Sequence, residues 1–132
     1  MEENRIVDLD LGEVEEIENM RNGVRRPYPV AYVSTSNIYF NTPAMKMMGH
    51  TKFMEYGCTT QYIVVTPTDT DSNKAFRVCN NRRSSPGVRT TALPVQLKRK
   101  KIGQGVYRLV PAGNGRYAFD RYAPIVSGEA VV

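Results

Sequence analysis

Proline and glycine punctuate this chain so closely that neither a long helix nor a long strand fits between them. From Pro27 onward the breaks include Pro29, Pro43, Gly49, Gly57, Pro67, Pro86-Gly87, Pro94, Gly103, Pro111, Gly113 and Gly115. Proline lacks the backbone donor and holds φ near one value, and glycine is the usual residue of helix stops and tight turns, so each break tends to end an element. The runs between them are rich in β-branched and aromatic residues. This points to a mainly β (α+β) fold, small twisted sheets or a barrel with short helices. At 132 residues the chain suits one domain with a single core. Its longest apolar runs, such as Ile63-Val64-Val65, fall far short of the ~20 residues that span a bilayer. Met1-Glu2-Glu3-Asn4 also lacks the basic start of a secretion signal, so the expectation is a cytoplasmic protein that does not enter the membrane.

Along the chain, residues 1–26 read as an acidic N-terminal arm or helix, with Leu9, Leu11, Val14 and Ile17 at roughly helical spacing among acids. Arg25-Arg26-Pro27-Tyr28-Pro29 is a stiff connector into a compact domain over 27–132. Strands are expected at 30–35 and 37–40, and then a short helix capped by Asn41 or Thr42, with Pro43 in its first turn and a stop at Gly49. Further strands are expected at 51–56 and 59–65, separated by Gly57, then a loop over 66–73 and an alternating strand over 74–79. Residues 80–87 read as a loop with Arg82-Arg83 at its tip. A strand at 89–93, a helix from Pro94 to Ile102 and a strand at 105–111 follow. Asn114-Gly115 is the strongest hairpin signal, since both positions tolerate positive φ, and 116–120 is the returning strand. Shifting the sequence by 54 places lays Gly49 on Gly103, Met48 on Ile102 and Phe53 on Tyr107. The domain therefore reads as two β-α-β-like repeats, about 30–79 and 87–122, that pack on each other.

A net charge of +5 conceals a sharp division. Residues 1–18 carry −7, leaving +12 on the rest of the chain. Between Asp71 and Asp120 there are eleven Lys and Arg residues and no acid. One-sign charge at this density repels itself unless an anionic partner relieves it, so the partner classes are nucleic acid or an acidic protein surface, against a solvated basic face. The candidate nucleic-acid-binding residues are Arg82, Arg83, Arg89, Lys98, Arg99, Lys100, Lys101 and Arg108. On a helix the run Lys98 to Lys101 would present two or three cations to adjacent phosphates, while Val95, Leu97 and Ile102 hold the helix to the core. Tyr107 and Tyr117 stand beside Arg108 and Arg116, either to stack on unpaired bases or as ordinary strand residues. A homodimer is compatible with all of this.

Catalytic patterns are missing. His50 is the only histidine, the acids of the body are scattered, and no serine sits in a nucleophile elbow. Cys58 and Cys79 have no metal-ligand spacing and read as free thiols packed as small hydrophobes, with a disulfide between neighbouring strands as the alternative. Gly103-Gln104-Gly105 lacks the rest of a phosphate-loop or dinucleotide motif. No enzyme activity, cofactor or metal is expected. Met45, Met47, Met48 and Met54 read as core filling or as an adaptable binding surface.

Leu93-Pro94 followed by Ile102-Gly103 and two strands resembles the AbrB-like swapped-hairpin DNA-binding domain, in which a strand ending in an Ile-Pro step leads to a helix with an apolar residue before its glycine. The likeness covers residues 89–120 and, more loosely, 30–79, where Phe40-Asn41 stands in place of the Ile-Pro step. The chain is also similar to small bacterial and phage proteins that carry two such units. The acidic turn that follows the glycine in that family is absent, so its DNA-binding residues have no counterparts to name. The resemblance implies a DNA-binding transcriptional regulator. The alternative is a phage or mobile-element protein that binds and inhibits a host protein or nucleoprotein complex.

Overall fold

A computed structural model of the chain describes residues 26–80 and 87–127. The expected acidic arm, apart from Arg26, and the Arg82-Arg83 loop tip lie outside the described residues. In chain order the elements are β1 (Val30–Val33), β2 (Asn37–Phe40), α1 (Thr42–Met47), β3 (Phe53–Cys58), β4 (Tyr62–Thr68), β5 (Phe76–Arg77), β6 (Cys79–Asn80), β7 (Arg89–Ala92), α2 (Val95–Arg99), β8 (Gly105–Arg108), β9 (Val110–Gly113), β10 (Arg116–Asp120) and β11 (Val126–Ser127). Among the described residues the fold is mainly β, with 46% strand against 11% helix. Two antiparallel sheets form it, sheet A in the order β11-β8-β1-β2-β7-β6 and sheet B in the order β5-β3-β4-β10-β9. They do not close into a barrel.

Local chemistry explains most element ends. Ser34 closes the β1–β2 hairpin, its amide donating to the Asn37 carbonyl at 2.9 Å and its hydroxyl accepting from the Asn37 amide at 3.1 Å. Asn41 caps α1, accepting from the Ala44 amide at 3.0 Å with Pro43 in the first turn, and Gly49 leaves the helix at φ 76°. Asn114 and Gly115 take φ of 55° and 71°, the doubly left-handed turn expected to join β9 and β10.

Other boundaries moved, each for a physical reason. Gly57 does not separate two strands, because β3 runs through it to Cys58 and the turn falls where the Thr59 amide donates to the Tyr62 carbonyl at 2.8 Å. Pro67 lies inside β4, where only β3 pairs with it; β10 pairs no further than Val65, so the missing N–H meets no partner strand. The expected strand over 74–79 is divided at Val78, with β5 joining sheet B and β6 joining sheet A. The strand over 105–111 bends in the same way at Leu109, buried at the corner between β8 in sheet A and β9 in sheet B. The order strand, strand, helix, strand, strand, strand runs from β1 to β5 and again from β6 to β11, with β8 and β9 together in the place of β3. Val64 on β4 pairs with Ala118 on β10, which is 54 residues further on. The Thr59–Tyr62 and Gly113–Arg116 hairpin closures are spaced by the same interval.

The main core lies between the sheets and beneath both helices, with Phe40, Met45, Met54, Ile63, Leu97, Leu109 and Phe119 among its residues. Met45, Met48 and Met54 are buried there, so the methionine cluster is core. Three side-chain contacts tie the layers. The Tyr107 and Phe119 rings meet at 4.8 Å, the Tyr56 and Thr91 hydroxyls are 2.6 Å apart, and the Tyr117 hydroxyl donates to the Met47 carbonyl at 3.1 Å. A smaller cluster of Val30, Tyr32, Val88 and Val106 occupies the outer face of sheet A, packed by Tyr28, Tyr39 and Val126. Cys58 and Cys79 are exposed free thiols, not core residues, because both fall at strand ends beyond the packed region.

Candidate nucleic-acid interface

The helix that carries the basic run is shorter than expected. It begins at Pro94 without a side-chain cap, makes one turn and a half, and ends when Lys101 enters the left-handed region at φ 57°. Leu97 anchors it to the core, whereas Val95 is 56% exposed and holds nothing. Lys98 and Arg99 lie in the last turn, Lys100 is the C-terminal cap residue, and Lys101 stands just beyond the helix. All four are exposed. Cations suit a helix C-terminus, but a helix this short has only a weak field, and it leaves four like charges close together. Among the described residues none of these four side chains has a hydrogen-bond or ion-pair partner.

A fifth cation arrives from the other sheet. Arg121, just past the end of β10, donates from Nη2 to the Lys100 carbonyl at 2.8 Å, and its amide donates to the Gln61 carbonyl at 3.0 Å. The turn after α2 is held from below by the Tyr107 hydroxyl, which donates to the Gly103 carbonyl. Burial pushes the Tyr107 phenol above its ordinary range, and the charge of Arg121 pulls in the opposite direction. Arg121 thus lies near the same turn as Tyr107. Beside it Tyr122 is 69% exposed, with the Arg121 guanidinium carbon 5.0 Å from its ring centre.

Arg121 and Tyr122 were missed because Asp120 precedes them and closes the acid-free stretch, so local charge counting cancels the arginine. In the folded chain Asp120 is engaged elsewhere: its carboxylate accepts from Gln61 Nε2 at 2.8 Å and from the Tyr122 amide at 2.9 Å. The Arg121-Tyr122 adjacency repeats that of Tyr107 and Arg108 and was the available signal.

The remaining candidates are dispersed. Arg108 pairs with Val30 and leaves sheet A on the outer face, where its guanidinium carbon is 4.2 Å from the Tyr28 ring centre. Arg89, opposite Phe40, is half-buried on the inner face, with Nη1 donating to the Val88 carbonyl at 3.2 Å. Neither has a hydrogen-bond or ring contact with α2 among the described residues. Arg82 and Arg83 lie outside the described residues. Tyr107 and Tyr117, the rings singled out for stacking on bases, are turned into the fold, Tyr107 with 1% of its surface exposed and Tyr117 bonded to Met47. The most exposed ring of this region is Tyr122, with Tyr62, opposite Asp120 on β4, exposed to a lesser degree. His50 is exposed at φ 53° after α1, and no cluster of metal-ligating side chains occurs among the described residues.

No protein-family model, curated protein or solved structure matches the chain.

Proposed function

We propose that this protein is a non-enzymatic nucleic-acid-binding protein that contacts phosphates through the C-terminal end of α2. The observation that carries the reading is the approach of Arg121, from the end of β10, to the turn that carries Lys98, Arg99, Lys100 and Lys101, five cations of which none is in an ion pair among the described residues. Such a cluster is stabilised when it neutralises phosphates, whose condensed counterions are then released to the solvent. Regulation of transcription in the manner of the AbrB-like family is the specific form that the resemblance favours, and it requires a preference for one duplex sequence over random competitor.

The test is binding of fluorescent duplex and single-stranded DNA and RNA at about 50 and 200 mM salt. With three to five phosphates contacted, duplex affinity falls by about 40- to 500-fold across that range. Arg99→Glu/Lys101→Glu abolishes it. Absence of binding to any of these at 50 mM refutes the reading. Val95, exposed on the same helix, supports an acidic protein surface as the second reading, the form a phage or mobile-element inhibitor of a host complex would take. An interface with that apolar centre weakens far less with salt.

A further inference from the structure

Which form of nucleic acid the cluster takes is indicated by the ring beside it. We infer that the ligand of the α2 end is a single strand, with Tyr122 stacking on an unpaired base; this rests on the nucleic-acid reading above. A tyrosine on a surface turn is common and by itself means little. Here the turn is fixed by two backbone-amide hydrogen bonds and the ring by one side-chain contact. The Tyr122 amide is bonded to the Asp120 carboxylate at 2.9 Å, the next amide, of Ala123, donates to the Asp120 carbonyl at 3.2 Å, and the Arg121 guanidinium lies against the ring. That guanidinium is in turn fastened to the Lys100 carbonyl. The ring is therefore linked to the phosphate-binding end of α2 by two successive contacts of 5.0 and 2.8 Å. With the cation on one side, the other side remains open, in keeping with 69% exposure.

This arrangement matches what an unpaired nucleotide requires and what a duplex does not offer. A single strand presents both a phosphate and a free base face within one nucleotide, so a cation cluster and an adjoining ring can bind both at once. In duplex DNA the base faces are covered by their neighbours, and an exposed ring gains nothing from them without unstacking. The guanidinium behind the ring adds to base stacking through the same π-face attraction. Base stacking of this kind tolerates any base, which agrees with the lack of edge-reading side chains at the α2 end other than Gln96 and Gln104.

The experiment uses the full chain and four probes at about 50 mM salt: a 12-nucleotide oligothymidine, the matching oligouridine, a 12-base-pair duplex, and an abasic strand of the same length. The expected result is that oligothymidine or oligouridine binds more tightly than the duplex and the abasic strand. Tyr122→Ala should weaken the tighter single strand by about 10- to 100-fold and leave duplex and abasic binding within twofold, while Tyr122→Phe retains binding. The comparison of oligothymidine with oligouridine identifies DNA or RNA as the source of the strand. A thermal melt of Tyr122→Ala matching the parent excludes misfolding, as expected for an exposed side chain. Equal losses on every probe, or no loss on single strands, overturn the inference while leaving phosphate binding by α2 intact. Failure of all four probes to bind overturns both.

Discussion

Asn41 shows how much a single buried side chain can organise. It is 2% exposed and uses its whole amide: Oδ1 accepts from the Val30 and Ala44 amides at 3.1 and 3.0 Å, and Nδ2 donates to the Arg26 and Tyr28 carbonyls at 3.2 and 2.8 Å. It therefore caps α1 and pins the connector that enters β1. Truncation removes a cap and leaves buried backbone groups unpaired, so Asn41→Ala should destabilise the fold by about 2–4 kcal/mol in urea unfolding. Asp is as good as Asn at an ordinary cap. Here Asn41→Asp should also destabilise, since a carboxylate cannot donate and would face two carbonyl oxygens. The sequence showed the capping role, because Asn-Thr-Pro before helix formers is a local signal. It did not show the bonds to residues 26 and 28, which depend on how the connector folds back.

At the level of elements, two joints between strands are open to test. Tyr56 on β3 crosses from sheet B to Thr91 on β7 in sheet A, at 2.6 Å. Burial raises its phenol above the ordinary value of 10.0, the Thr91 hydrogen bond opposing the shift only in part. The folded protein therefore disfavours the phenolate: this contribution is complete below pH 10 and is lost as the pH rises above it. Tyr56→Phe should cost about 1 kcal/mol at pH 7 and flatten the decline in stability above pH 10, read by urea titration at several pH values. Tyr107 shifts in the same direction, so part of the decline should remain. The second joint is at Gly105, where φ is 153° and an added Cβ would collide with the Val126 carbonyl oxygen. Gly105→Ala should detach β11 from β8 at a cost of more than about 1 kcal/mol. Hydrogen exchange would report it at the Ile125 amide, which donates to the Val106 carbonyl at 2.6 Å.

For the whole molecule the dominant quantity is charge. Deleting residues 1–18 takes the net charge from +5 to +12. Under the proposed function the shortened chain should bind oligothymidine more tightly at 50 mM salt, and the gain should fade by 300 mM as screening shortens the reach of the arm's field. Equal affinity of the two chains at 50 mM would show that the arm's charge is not felt at the site.

Neighbouring residues alone encode the short elements between prolines and glycines, the α1 cap, the Asn114-Gly115 turn, and a basic run that stays on the surface because no apolar environment would accept it. Tertiary structure alone decided the division of strands at Val78 and Leu109, the placing of Pro67 where β4 has lost a neighbour, the burial of Tyr107 and exposure of Tyr122, and the meeting of Arg121 with Lys100. The physical reason is that these features depend on pairings between residues far apart in the chain. Such pairings are selected by the packing of two sheets against one core, which no local stretch of sequence specifies.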